Sequence, residues 1–298
     1  MVRTHGILLA AGSGTRLWPI TSYVNKHLCP VYDKPLIYYP LTNLILAGCT
    51  SLSIIVNQSD FDAYTELTRY LRGLNLDANL VVQPESLKGI PSAISCGLED
   101  AAGADNYLVM LGDNILVSRG FVTKSLRSDI DPMKMRIFTH PVENPQRFGV
   151  VQRDSSGNVS KVIEKPTVPC SKEAIIGSYI IPADVVDLIG RLEPSPRGET
   201  EIIDIINHYL NLDRLDVEQL TQGTVWLDAG TTEDLEASST IVSMMQRTSG
   251  QLLGSIEQAA LKRGLISTEK LLLLLDPRGD SEYRRRLETI VRTTSDPS

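Results

Sequence analysis

Cysteine is scarce in this chain. Cys29, Cys49, Cys96 and Cys170 are scattered and make no C-x-x-C pair, so neither a disulfide framework nor a cysteine metal cluster is supported. Reduced thiols in a cytosol are the simplest account. Histidine is equally sparse: His5, His27, His140 and His208 show no metal-ligand spacing and read as structural or exposed. There is no basic excess. Lys and Arg number 29 against 36 Asp and Glu, a net charge of −7, so no global field invites nucleic acid. Any phosphate affinity has to come from local cations. No apolar run approaches a membrane span and no N-terminal signal pattern is present, which gives the expectation of a cytoplasmic protein with no membrane partner. No internal repeat or low-complexity segment interrupts an ordinary globular composition, 42% hydrophobic and 22% charged over 298 residues.

What is present concentrates near the start. Gly6-Ile7-Leu8-Leu9-Ala10-Ala11 is an apolar run that feeds into Gly12-Ser13-Gly14-Thr15-Arg16-Leu17-Trp18-Pro19. Glycine lets backbone N–H groups approach a polyanion because no Cβ stands in the way. Arg16 adds a permanently charged donor fork for phosphate oxygens. The run is not a Walker A loop, and Leu17 occupies the third glycine of a dinucleotide fingerprint. G-x-G alone also describes a tight strand-to-helix turn with a surface arginine. Joined to Arg16, Pro19 and Lys26 it describes an address for a nucleoside triphosphate.

The pattern along the chain is that of an α/β protein. Gly6–Ala11, Leu52–Val56, Leu80–Val82 and Tyr107–Leu111 read as buried strands, separated by helical spacing over Leu36–Ala47, Phe61–Arg72 and Pro91–Ala101. Such alternation argues a mainly parallel sheet flanked by helices. Strand signals then crowd at Met135–Thr139, Gly149–Arg153, Val159–Ile163 and Ile175–Ile181, with a turn at Ser155-Ser156-Gly157-Asn158. This region is expected to add antiparallel strands. Asp184–Leu192 and Glu201–Leu212 read as helices, and beyond Gly230 the pattern is mostly helical to Val291. Leu271–Leu275 then Asp276-Pro277-Arg278-Gly279 reads as a helix end and turn, and Thr293–Ser298 as a fraying tail. The expectation is a catalytic domain over 1–240 and a helical appendage over 241–298.

Two carboxylates stand where apolar runs end. Asp113 follows Leu108-Val109-Met110-Leu111-Gly112, and Asp228 lies in Trp226-Leu227-Asp228-Ala229-Gly230-Thr231. Open α/β sheets bind ligands outside such strand ends. Taken alone, Asp113 also reads as an Asx turn, and Asp228 as a cap for a helix starting near Thr231.

Leu9-Ala10-Ala11-Gly12-Ser13-Gly14-Thr15-Arg16-Leu17, with Asn25-Lys26-His27-Leu28-Cys29-Pro30-Val31, resembles the signature of the sugar-1-phosphate nucleotidylyltransferases. Tyr32-Asp33-Lys34-Pro35-Leu36-Ile37-Tyr38-Tyr39-Pro40-Leu41 narrows the likeness to the glucose-1-phosphate thymidylyltransferase branch. Gly112-Asp113-Asn114, Arg147-Phe148-Gly149-Val150-Val151, Glu164-Lys165-Pro166, Arg197-Gly198-Glu199, Glu201-Ile202 and Trp226–Thr231 follow in family order, so the resemblance runs from residue 6 to about 265.

The resemblance implies a Rossmann-like, mixed but mainly parallel sheet. It implies transfer of a nucleotidyl group from a nucleoside triphosphate, dTTP or UTP, to a hexose 1-phosphate such as glucose 1-phosphate. It carries Asp113 and Asp228 over as Mg2+ ligands, and Arg16, Lys26, Asp113, Lys165 and Asp228 as the catalytic set. Leu9, Ala11, Gly12, Gly14, Thr15, Arg16, Gln83, Gly89 and Asp113 match nucleotide contacts. Asn114, Gly149, Glu164, Lys165 and Tyr179 match contacts to the sugar phosphate. A Gln83 amide both donates and accepts, which fits the imide edge of thymine or uracil. A homotetramer with a second, feedback nucleotide-sugar site is also implied. Two departures leave alternatives open. Asn25-Lys26-His27-Leu28-Cys29-Pro30 replaces a Ser/Thr-Lys-Gln-Leu-Leu-Pro form, and Gly89-Ile90-Pro91-Ser92-Ala93 replaces Gly-Leu-Ala-Gln-Ala. The same chemistry on another sugar or cyclitol phosphate, or with a purine triphosphate, stays possible. So does an inactive nucleotide-sugar sensor, against which the retained Arg16, Lys26, Asp113, Lys165 and Asp228 argue.

Overall fold

The computed structural model describes residues 2–101, 103–118, 125–126, 131–275 and 279–294. Its strands are β1 (Thr4–Leu9), β2 (Pro30–Val31), β3 (Lys34–Pro35), β4 (Ser51–Val56), β5 (Asp77–Val82), β6 (Asn106–Leu111) and β7 (Asn114–Val117). Then come β8 (Met135–Pro141), β9 (Gly149–Arg153), β10 (Val159–Glu164), β11 (Glu173–Pro182), β12 (Leu215–Gln219) and β13 (Val225–Asp228). The described helices are α1 (Tyr38–Ala47), α2 (Phe61–Gly73), α3 (Ile90–Leu98), α4 (Val185–Ile189), α5 (Ile202–Asn211), α6 (Thr232–Ser249), α7 (Ile256–Lys262), α8 (Thr268–Leu275) and α9 (Glu282–Thr294). Asp276–Arg278 and Ser295–Ser298, parts of the expected turn and tail, lie outside the described residues.

β1 ends in Ile7-Leu8-Leu9 and β4 in Ile54-Ile55-Val56, and both are buried from their second residue on, because both faces of a central parallel strand are covered. They build the order β5-β4-β1-β6, all parallel, at one side of a nine-stranded sheet. Beyond β6 the sheet changes sense. β11 runs antiparallel to β6 and pairs in turn with β8 and β9, with β10 on β9 and β12 on β8. The crowded strand signals of the middle region are this antiparallel extension. The Ser155–Asn158 turn joins β9 to β10, where the Asp154 carboxylate accepts from the Ser156 and Asn158 amides at 2.8 and 3.0 Å. Because β1 lies between β4 and β6, its exit loop opens into the crevice where the strand order reverses.

The C-terminal helices do not form a separate unit. α6 runs unbroken through residue 240, and Leu252, Ile256, Ala260, Leu271, Leu287 and Val291 share one buried cluster with Leu41 of α1 and Leu8, Leu108 and Met110 of the sheet. A buried polar network pins the contact. Lys34 in the β2–β3 hairpin pairs with Asp33, donates to Gln246 Oε1 at 3.1 Å, and sits 5.3 and 5.2 Å from the Tyr39 and Tyr283 ring centroids. Burial lowers the Lys34 ammonium pKa against the pull of Asp33. Buried Glu257 accepts from Tyr70, Tyr283 and Ser255 on three elements of the chain. Each half of this boundary therefore supplies partners that the other half cannot replace with water.

Candidate active site

The carboxyl ends of β1 and β6 lie side by side, with Leu9 opposite Leu111. From Leu9 the chain enters the glycine loop. Gly14 adopts φ 62°, and a Cβ there would lie 2.8 Å from Thr21 Cγ2 and 3.0 Å from Lys26 Cβ. Its missing side chain thus allows both the turn and the close passage of the segment that carries Lys26. The Leu17 amide and the Thr21 hydroxyl both donate to Gly14 O, at 2.8 and 3.1 Å. Arg16 projects from this loop and is exposed.

Lys26 is 6% exposed and its ammonium forms an ion pair with Asp113 at the end of β6. Burial raises the Asp113 carboxyl pKa. The Lys26 charge and hydrogen bonds from Lys26 and Asn114 outweigh it and hold the group below its ordinary value. Buried His27 is the spacer beneath this pair. Its amide and its Nδ1 lie 2.9 Å from Asn25 Oδ1, and burial lowers the ring pKa to about 4, so it is neutral near pH 7. A Cβ on Gly112 would lie 2.7 Å from the His27 ring and 2.8 Å from Leu9 O, which explains the glycine before Asp113.

The second carboxylate arrives from 115 positions further along the chain. β13 pairs antiparallel with β7 so that Asp228 lies opposite Asn114, and the Ala229 amide donates to Asp113 O at 3.0 Å. Burial and the Asp113 charge push the Asp228 carboxyl up to about 6, against Lys26, Arg147 and Arg16. A Cβ on Gly230 would lie 3.1 Å from Asp228 Oδ2 and 3.2 Å from Arg16 Nη2, so this glycine leaves the space between carboxylate and guanidinium open. Asn114, expected on sugar hydroxyls, is turned inward. Its Nδ2 donates to Asp113 Oδ1 at 2.8 Å, and its Oδ1 accepts from Trp226 Nε1 at 2.6 Å and from the Gly177 amide at 3.1 Å. With both amide atoms committed and 4% of the residue exposed, it orients Asp113.

Two further groups of expected residues flank this centre. Gly149 and Glu164 face each other across β9 and β10. Lys165 follows at φ 40°, a left-handed backbone that costs a non-glycine residue energy. Lys165 Nζ lies 3.3 Å from Glu164 Oε1, and Arg197 reaches the same oxygen at 3.4 Å while holding Glu201 at 2.8 Å. Tyr179 is buried on β11. Burial raises its phenol pKa, with smaller contributions from the Glu164 and Asp113 charges. On the other flank the Gln83 amide donates to Leu87 O at 2.7 Å. Gly89 adopts φ 98° and bridges to Thr200, onto whose backbone a Cβ would land. The departure at Ser92 has a local role, since its amide and hydroxyl lie 3.3 and 2.9 Å from Thr200 Oγ1. A cavity of about 550 Å³ lies behind this bridge, between α3, α4 and the 194–200 loop, rather than over the carboxylates.

Arg147, Asp234, Trp226, Arg197 and Thr200 are the polar neighbours that sequence reasoning left without a role. Arg147, Trp226 and Arg197 stood inside the quoted motifs. Asp234 carried only the signal of an acid three residues after the Thr231 helix cap. Among the described residues no three His, Cys, Asp or Glu side chains gather as a metal site. Asp113 and Asp228 alone are a hard oxygen pair of the kind Mg2+ uses together with substrate phosphates, and burial followed by the Asp113 charge is what raises the Asp228 carboxyl.

The nucleotidyl transferase family model matches residues 5–243. The chain is 36% identical over 287 residues to a glucose-1-phosphate thymidylyltransferase of Neisseria meningitidis serogroup A, covering 96% of this chain and 99% of that one. It is 39% identical over 267 residues to the protein of that name from Mycolicibacterium smegmatis, covering 90% and 92%. Among solved structures, a Bacillus anthracis chain assigned as a glucose-1-phosphate thymidylyltransferase and crystallised with sucrose superposes with TM-score 0.71 at 32% identity, covering 80% of this chain and 94% of that one. A UDP-glucose pyrophosphorylase with UDP-glucose shares the fold at TM-score 0.70 and 23% identity, covering 82% and 99%.

Proposed function

The chain belongs to the nucleotidyl transferase family, in its glucose-1-phosphate thymidylyltransferase branch, and we propose that it joins dTTP or UTP to glucose 1-phosphate. It is an enzyme of nucleotidyl transfer. A phosphate oxygen of the sugar 1-phosphate attacks the α-phosphorus of the triphosphate, the bond to the β-phosphate bridging oxygen breaks, and an NDP-sugar and pyrophosphate result.

Both reactants are polyanions, so the protein has to neutralise charge and hold an in-line approach. The glycine loop offers backbone N–H groups to the triphosphate, and Arg16 meets the charge that develops on departing pyrophosphate. Lys26 keeps Asp113 ionised, and Asn114 and Trp226 keep it oriented. Lys165 holds the phosphate of the acceptor, with Gly149, Glu164 and Tyr179 framing its sugar, and Gln83 and Gly89 receive the base. Asp113 and Asp228 would hold Mg2+, which when bound supplies further neutralisation of the triphosphate. The observation that carries this reading is the meeting of the Lys26–Asp113 pair with Asp228 at the open ends of β1 and β6, beneath Gly12 and Gly14.

The test is a pyrophosphate-release screen of dTTP, UTP, CTP, ATP and GTP against a panel of sugar 1-phosphates. The highest kcat/KM is expected for dTTP or UTP with glucose 1-phosphate. A clear preference for GTP or ATP sinks the pyrimidine assignment. Because Ser92 and Thr200 tie the helix start beside the base segment, the panel includes other sugars and cyclitol phosphates. We also assign the protein to the cytoplasm as a homotetramer. A light-scattering mass other than four times that of the chain overturns the latter.

A further inference from the structure

Arg147 stands between two carboxylates. Its Nη2 lies 2.7 Å from Asp234 Oδ2 and 3.5 Å from Asp228 Oδ2. A charge-assisted bond of full strength is near the shorter distance, so the guanidinium is bonded to Asp234 and only leans on Asp228. Its remaining surroundings are fixed. The guanidinium carbon lies 5.6 Å from the Phe148 ring centroid, and Phe148 meets Trp226 edge-on at 5.2 Å. Asp234 is equally fixed. It sits in the first turn of α6, its amide donates to the Thr231 capping hydroxyl at 3.2 Å, and the positive end of the helix favours its charge.

A guanidinium and a divalent cation compete for the same carboxylate lone pairs. We propose that Asp234 parks Arg147 away from Asp228 and so keeps Asp228 open to the metal; this rests on the metal role given above to Asp113 and Asp228. Asp234 is then a positioning residue that acts through Arg147 and touches neither reactant. Without it, the guanidinium closes on Asp228 as a paired salt bridge, and the metal has to displace it. The reach needed is small, because the Arg147 nitrogen already lies 3.5 Å from the Asp228 oxygen.

The test is Mn2+ titration of the nucleotide-free chain, followed by the electron paramagnetic resonance signal of free Mn2+. Folding of every variant is checked by circular dichroism. Asp234→Ala and Asp234→Asn are expected to bind Mn2+ about tenfold more weakly, the range seen when partners of metal ligands are removed. Asp234→Glu should restore binding, and so should the double variant Arg147→Ala/Asp234→Ala, which a merely structural loss at Asp234 would not. Wild-type affinity in folded Asp234→Ala, or a double variant as weak as the single, overturns the proposal. Asp228→Ala separates the two levels. If it binds Mn2+ like the parent chain, or if the parent binds none saturably, the metal reading falls and this proposal with it. If only Asp228→Ala weakens binding, the parking role alone falls.

Discussion

Replacing Lys26 by methionine removes the ammonium that faces Asp113 and keeps most of the buried stem. The parent pair lies in a poorly hydrated place, with Lys26 6% and Asp113 18% exposed. Removing one partner of a buried pair leaves an uncompensated charge and costs about 3–5 kcal/mol. For a chain of this length that is roughly 6–10 °C in apparent Tm, at about 2 °C per kcal/mol. The pH dependence carries the sharper test. In the parent, the Asp113 carboxyl lies below its ordinary value. Its stabilising contribution is therefore present above the unfolded pKa, about 3.9, and is lost only as pH falls through the folded one. In Lys26→Met, the ammonium's opposition to burial and to the Asp228 charge is gone and only the weaker Asn114 bond is left, so the folded pKa rises above the unfolded one. The sign reverses: the variant is closest to the parent in acid and loses ground as pH rises. Thermal unfolding in EDTA from pH 5 to 8 reads this directly. A Tm deficit that is constant across that range, or that shrinks as pH rises, refutes the reasoning.

Gly89→Ala combines a left-handed backbone, costing about 1–3 kcal/mol, with a Cβ aimed at the Thr200 carbonyl; a lowered urea midpoint and a raised triphosphate KM are expected, and an unchanged pair contradicts the packing. Asp228, raised to about 6, disfavours the metal-free fold as pH rises through that value, so MgCl2 should raise Tm more at pH 7.5 than at pH 5, and equal thermal shifts at the two pH values count against it. Lys165→Ala should chiefly raise the KM for sugar 1-phosphate and Arg16→Ala chiefly lower kcat; steady-state kinetics with each substrate varied separates the two, and an untouched acceptor KM in Lys165→Ala removes its assigned role.

The parts of this site that were legible in the sequence are those written in local code. An apolar run ending in Gly12-Ser13-Gly14 announces a strand and a phosphate loop, and Leu108–Leu111 before Asp113 announces a strand end. The pairing of β7 with β13 was not legible. Each strand has four residues, they are far apart in sequence, and nothing in either short run names the other. That pairing brings Asp228 to Asp113, so the resemblance carried a proximity that periodicity could not. Asn114 shows a related gap, because its type fits a sugar hydroxyl as well as the inward bonds to Trp226 and Gly177. The expected division at 240 was drawn from pattern alone. A shift toward helical pattern marks a change of secondary structure, whereas a domain boundary requires a break in the core, and Leu287 and Leu8 share one cluster.

That shared cluster also sets a schedule for the ribosome. Leu8 in the first strand and Val291 in α9 belong to the same buried layer, so the layer cannot close until nearly the whole chain has emerged. At about 5–20 residues per second, the wait between them is on the order of 15–60 s. During it, α1 can already cover the sheet face bearing Leu8, Leu108 and Met110, but the side of α1 against which α7 packs stays open.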